Sequence, residues 1–386
     1  MGCRAYYIST IIALIFAVSI AGTVPDVAAQ TTGFDDAESI RQDTLHTFIL
    51  IGDSGKPNLN GEDPVFNMLT YHLNALKSPK STIFLGDNIY ENGMPPDESH
   101  PERNISEARL KVALDVLNNT GSQAVFVPGN HDWRFGRAGV VAQQMYIENN
   151  SGPDVRILPE EGCPGPEYEI IEDKWLVLYL DTQWLLKEGN RAGVAAGQCE
   201  FQTMEDVMRE VERLVGEHPE KNLLVNAHHP LYSDGPHGGS FRLKDHLFPL
   251  TNLKPYLYLP LPFIGSVYPI YRKNGHTPQD RRSNEHQSYV GRLLEATEGA
   301  QVRFFAGGHE HSLSFYDEDD HYVIVSGSAS KKSFVRGAAE TEFSISEHGF
   351  GKLIAFTDGG TSLEFWVPQA GEPKGERLYK TYVPPP

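Results

Sequence analysis

The chain reads as an α/β protein. Three observations predict that class: short apolar runs alternate with amphipathic helical segments, most of those runs end in glycine followed by a polar donor, and 386 residues with 40% hydrophobic content can bury a large core. The alternation implies a sheet with helices outside. With no internal repeat, length leaves one large domain or two smaller ones open.

In order, 1–29 reads as an export signal: Arg4 gives the positive start, 11–21 a short apolar core, and Val27-Ala28-Ala29 a small-residue cleavage site. The apolar run falls short of the ~20 residues a spanning helix needs. The start MGCRAY lacks the Ser or Thr of a myristoylation signal, so Cys3 leaves with the leader. Residues 30–45 are a polar lead-in. A strand is predicted at 46–51, then a helix at 64–77 started by Asp63-Pro64, with Val65, Met68, Leu69, His72, Leu73 and Leu76 on one face. Strand 81–85, helix 106–118 and strand 123–127 follow.

Paired strands at 168–171 and 175–180 flank the turn Glu172-Asp173-Lys174, a helix covers 200–215, and strand 222–226 leads into His228-His229. The segment 235–280 breaks the rhythm: it is rich in Gly, Pro and aromatics, fits no strand or helix period, and its prolines rule out a spanning helix. It is expected to fold as a lid over the site; a membrane or partner contact through 255–271 is the alternative. A helix at 284–297 restores the pattern, and strands at 302–306, 322–325, 352–357 and 362–367 close it, the last two around the Gly359-Gly360 turn. This gives a domain over 46–367 and a tail at 368–386.

A net charge of -18 and a pI near 5.2 argue against a nucleic-acid-binding surface. They do not exclude a phosphate substrate, because bound cations can reverse the sign of a site. Cys163 and Cys199 remain after the leader and can form a disulfide in an oxidising compartment. Sequons stand at Asn104, Asn118 and Asn149, and matter only in a glycosylating host.

Five predicted strand ends deliver metal-type donors: Asp53 in IGDSG, Asp87 with Tyr90 in LGDNIY, Asn130 and His131 in PGNHDW, His228 in VNAHH, and His309 and His311 in GGHEH. Any one of these is as well explained by turn capping or a surface histidine. Together they point to one pocket, since ligands collect at the carboxyl ends of strands in α/β sheets. Carboxylate, amide and imidazole suit iron, zinc or manganese better than calcium.

The blocks GDSG, GDNIY, GNHD, VNAHH and GHEH, in this order, resemble the calcineurin-like metallophosphoesterases over roughly 47–367, and Tyr90 three residues after Asp87 resembles the purple, tartrate-resistant acid phosphatase branch. The resemblance implies a sandwich of two mixed β-sheets flanked by helices. It implies two metal ions: one held by Asp53, Tyr90 and His311, a second by Asn130, His228 and His309, with Asp87 bridging. His228 rather than His229 is implied because it holds the fourth place of V-x-x-H. A phenolate from Tyr90 favours Fe(III); Fe(II), Zn or Mn would fill the other position. His131 and His237 are the expected substrate-side histidines, binding phosphate or protonating the leaving group. Glu310 and the insert after His237 depart from the pattern and leave substrate preference open.

The expected activity is exported, binuclear phosphomonoester hydrolysis, in which two cations clamp the phosphate ester and acidify a bound water. A phosphodiesterase or nucleotide hydrolase would share every ligand. A non-catalytic surface or binding protein on the same scaffold is the reading from another class.

Overall fold

The computed structural model describes residues 43–187, 198–252, 254, 256–337 and 341–386. The expected leader and all but the end of the lead-in lie outside the described residues.

Two seven-stranded mixed sheets form the centre, as expected. The first runs β14-β13-β12-β1-β2-β3-β4, from β1 (Thr44–Ile51), β2 (Lys80–Phe84), β3 (Ala124–Phe126), β4 (Val155–Ile157), β12 (Phe350–Phe356), β13 (Thr361–Gln369) and β14 (Glu372–Val383). The second runs β11-β9-β10-β8-β7-β6-β5, from β5 (Glu167–Ile171), β6 (Trp175–Leu180), β7 (Asn222–Ala227), β8 (Arg303–Gly307), β9 (Leu313–Glu318), β10 (His321–Ser326) and β11 (Phe343–Ile345). Each has a parallel heart, β1 to β4 in one and β6, β7, β8 and β10 in the other, with antiparallel strands beside it.

Residue alternation along β1 shows how the layers form. Phe48 and Leu50 enter the core between the sheets, where Phe48 meets Trp175 of the other sheet with ring centroids 5.4 Å apart. Ile49 and Ile51 face the helical layer. A strand buried on both faces reads as a continuous apolar run, which is why TFILI stands out in the sequence. The helices are α1 (Pro64–Ala75), α2 (Arg103–Thr120), α3 (Gly136–Asn150), α4 (Thr182–Leu186), α5 (Met204–Glu217), α6 (Leu243–Leu247), α7 (Val267–Lys273) and α8 (Asn284–Ala296). Asp63 caps α1 by accepting from the N–H groups of Val65 and Phe66, as its place before Pro64 predicts.

Two expectations are corrected. Within the expected tail at 368–386, residues 372–383 form edge strand β14, paired antiparallel with β13. Of its twelve residues only Val383 is buried, so a polar edge strand carries no apolar signal. The insert also contains helical turns, α6 and α7, which at five and seven residues are too short to register a period. Cys163 and Cys199 are joined in a disulfide.

Candidate metal centre

The carboxyl ends of β1, β2, β3, β7 and β8 meet where the two sheets approach. Gly52 donates its N–H to Ser326 at the end of β10 (2.7 Å), and Gly308 donates to the His228 carbonyl (2.9 Å). Close approach requires glycine here: a β-carbon on Gly129 would stand 2.2 Å from the Asp87 nitrogen, and one on Gly308 would stand 2.6 Å from Asp53 Oδ2. Three of the donors, Asp53, Asp87 and His309, have φ of 56°, 53° and 64°, a region that side chains disfavour. Such backbone persists where surrounding structure over-determines it, and it turns each side chain inward off its strand.

Seven expected ligands gather in two overlapping groups. The Tyr90 hydroxyl donates to Asp53 Oδ1 (2.5 Å), and His311 Nε2 lies 3.1 Å from that hydroxyl and 3.3 Å from Asp53 Oδ1. On the other side Asn130 Oδ1 is 3.0 Å from His228 Nε2 and 2.9 Å from His309 Nδ1, and those two ring nitrogens are 3.2 Å apart. Asp87 stands between: its Oδ1 is 3.3 Å from His228 Nε2, and Asp53, Asp87 and His228 offer ligand atoms within 4.8 Å of one another.

The donor set fits metal ions. His228 Nδ1 faces the Leu85 carbonyl at 2.8 Å and must donate to it, so Nε2 of the neutral ring carries a lone pair. That lone pair points at the amide oxygen of Asn130 and a carboxylate oxygen of Asp87, an arrangement that a metal ion, or a proton in its place, satisfies. The electrostatics agree: burial lowers the basicity of His228, yet Asp87 and Asp53 outweigh it and hold its pKa above the usual imidazole value. For His311, too, burial is outweighed, here by the hydrogen bond and charge of Asp53. A proton is drawn to the places where metal charge would sit. Tyr90, by contrast, is held well above the usual phenol range by burial and by Asp53 and Asp87, so its ionisation needs a strong local cation.

The two substrate-side histidines differ. His131 is partly exposed at the rim, its ring 4.6 Å from that of Tyr90, with Nδ1 against the Glu91 carbonyl and Nε2 3.8 Å from Asp87 Oδ2. His237 lies against His309, ring centroids 3.8 Å apart. Its Nδ1 accepts from Arg272 of α7 at 2.8 Å, and Asp280 holds that guanidinium at 2.5 Å. Burial, with Arg272 adding to it, pushes the His237 imidazole well below its usual range.

Several residues at the site have roles that the sequence does not assign; it marks His229 and Glu310 only as a non-ligand and a departure from the pattern. Buried Asp132 accepts from the N–H groups of Gly129 (2.7 Å), Asn88 (3.2 Å) and Ile89 (3.2 Å), tying the β2 and β3 loops together; its place in GNHD was its only signal. His229 joins His228 and His309 in a buried group, with Nδ1 2.8 Å from the Thr182 hydroxyl. Glu310 points inward, accepting from the Ser233 hydroxyl and the His237 N–H (3.0 Å), so it braces the turn that carries His237. Burial pushes its carboxyl up to about 7. Arg272 and Asp280 come from the insert, where no motif marks them.

A family model described as calcineurin-like phosphoesterase matches residues 46–313. Among solved structures, GAP50, the anchor in the inner membrane complex of Plasmodium, aligns with a TM-score of 0.56 at 16% identity, covering 88% of this chain and 89% of that one. The purple acid phosphatase PPD1 from yellow lupin (Lupinus luteus) seeds aligns with a TM-score of 0.52 at 13% identity, covering 87% of this chain and 53% of that one. This chain therefore spans about half of the lupin protein. At these identities the likeness is one of fold. No curated protein matches the sequence.

Proposed function

Because the chain belongs to the calcineurin-like phosphoesterase family, we propose that it is an exported binuclear phosphohydrolase of the purple acid phosphatase type, acting on phosphomonoesters. The observation that carries this reading is the convergence of His228, His309 and Asn130 lone pairs, 2.9 to 3.2 Å apart, beside two buried carboxylates. Asp53, Tyr90 and His311 would hold one ion, with Fe(III) suited to the phenol. Asn130, His228 and His309 would hold Fe(II), Zn or Mn, and Asp87 would bridge. When bound, such a pair polarises the phosphate, activates water and neutralises the leaving oxygen.

The protein's own groups divide the remaining work. His131 spends Nδ1 on the Glu91 carbonyl, which leaves Nε2 to exchange a proton with the leaving group. His237 accepts at Nδ1 from Arg272, so its hydrogen sits on Nε2 and it serves as a neutral donor orienting a phosphate oxygen. Export accords with the Cys163–Cys199 bridge, since disulfides persist in oxidising compartments. Among the described residues no helix is long and apolar enough to cross a membrane.

A non-catalytic scaffold is the second reading, favoured by the likeness to the Plasmodium anchor over nearly the whole of both chains. Metal analysis combined with hydrolysis of aryl phosphate mono- and diesters separates the readings. Two metals per chain and a faster monoester rate are expected, and Asp87→Ala should lose both ions and over 99% of turnover. Metal without turnover would favour the scaffold, a faster diester rate the diesterase, and full activity in Asp87→Ala would overturn the site.

A further inference from the structure

The insert carries an apolar face that the metal chemistry does not use. Phe263 is 89% exposed, Tyr256 71%, Ile264 67% and Val267 64%, with Tyr258 and Leu259 exposed beside them. Contiguous exposed apolar surface of this kind marks a contact site in a folded protein. Phe263 has φ of 70°, a conformation that its β-carbon disfavours, so a strained turn presents the ring outward. Pro260, Pro262 and Pro269 fix the backbone around it.

Charge identifies the occupant. The chain carries 33 Lys and Arg against 51 Asp and Glu, but residues 241–275 hold Arg242, Lys244, Lys254 and Lys273 against the single acid Asp245, with Arg272 set apart by its ion pair with Asp280. Asp245 is turned to the start of α6, where it accepts from the Arg242 N–H at 2.9 Å. Lys244 Nζ stands 5.0 Å from the Tyr258 ring centroid, a cation directly beside the aromatic face.

We propose that this face of the insert docks onto the surface of an anionic lipid bilayer. Tyrosines suit the headgroup level, Phe263 and Ile264 reach the acyl boundary, and lysines at the edge meet anionic headgroups. A symmetric contact with a second copy would instead set these cations against themselves. The contact is interfacial, since α7, at seven residues, is far shorter than the ~20 that span a bilayer. Through α7 the docked face reaches the metal centre: Arg272 donates to the Tyr268 hydroxyl and to His237, both at 2.8 Å. The docking itself does not depend on the phosphohydrolase reading.

Co-sedimentation of the full chain with phosphatidylcholine vesicles, with and without phosphatidylserine, tests it. Binding should require phosphatidylserine and weaken with salt. Phe263→Ser with Ile264→Ser should lower partitioning at least about tenfold, given the apolar groups removed. Lys244→Glu with Lys254→Glu should lower it by about fivefold or more per charge. Both variants should keep the wild-type melting temperature, since all four side chains are exposed. No binding to phosphatidylserine vesicles, or unchanged binding by the Ser pair, would overturn the proposal. So would a concentration-dependent dimer in sedimentation velocity that the Ser pair dissolves, which would assign the face to a second copy.

Discussion

Tyr90 shows how far one side chain's environment constrains the metal beside it. Its hydroxyl is buried between Asp53 and Asp87, which hold the phenol neutral, so only a strongly charged ion would ionise it. If Fe(III) sits there, the isolated protein absorbs visible light by phenolate charge transfer, and Tyr90→Phe bleaches it while leaving the second metal in place. A colourless, fully active zinc or manganese protein would show instead that the phenol only hydrogen-bonds Asp53. The two rim histidines diverge for an equally local reason. The Nδ1 of His237 is occupied by the Arg272 guanidinium, whereas that of His131 faces a backbone carbonyl. His131→Ala should therefore lower kcat by roughly 10²-fold or more on alkyl phosphates and less on activated aryl phosphates. His237→Ala should mainly raise KM, leaving metal content unchanged. A leaving-group-dependent fall in kcat for His237→Ala alone would reverse the two roles.

Among the elements, those that were legible in the sequence carry their chemistry in short-range pattern. The runs before Gly52, Gly86 and Gly307 are apolar on both faces and end in an obligatory turn, so strand, terminus and donor were readable together. α5 was readable from its strong apolar stripe, but its start was not: the Thr203–Asp206 capping box begins the helix at Met204 rather than at 200. α3 was not: its sequence GRAGVVAQQMYIENN mixes glycine and polar residues into the buried side, including buried Gln143. The approach of Arg272 to His237 across 35 residues is a tertiary fact with no local signature. The Cys163–Cys199 bridge was readable as a pair by count, and its worth follows from loop length. Closing a separation of 36 residues removes denatured-state entropy worth about 3–4 kcal/mol. Cys163→Ser with Cys199→Ser should lower the unfolding free energy by up to that amount with the metals retained, as measured by urea titration; an unchanged midpoint would mean that the bridge is energetically idle.

At the scale of the molecule, the helical layer and the first sheet are joined by a titratable group outside the metal centre, and this bears on how the fold tolerates acid. His72 of α1 is buried, with Nε2 donating to the Lys374 carbonyl on β14 (3.0 Å) and its ring set edge-on to Trp366 at 4.7 Å. Burial first, and the nearby Lys352 ammonium second, push the imidazole down to about 4. In the unfolded chain His72 titrates near 6.5. Below that pH the unfolded state takes a proton that the folded state refuses, so stability from this residue is complete above about 6.5 and is lost as pH falls toward 4. Below about 4 both states are protonated and the loss stops growing. His72→Gln keeps a donor for the Lys374 carbonyl but cannot titrate. The variant should melt slightly below wild type at pH 8, where packing alone is changed. Between pH 6.5 and 4 its melting temperature should fall less steeply, so that the two curves converge or cross by a few degrees. Metal loss in acid lowers both curves alike and leaves the difference intact. Parallel curves through that window would show that His72 titrates normally and that acid acts on the fold through other groups.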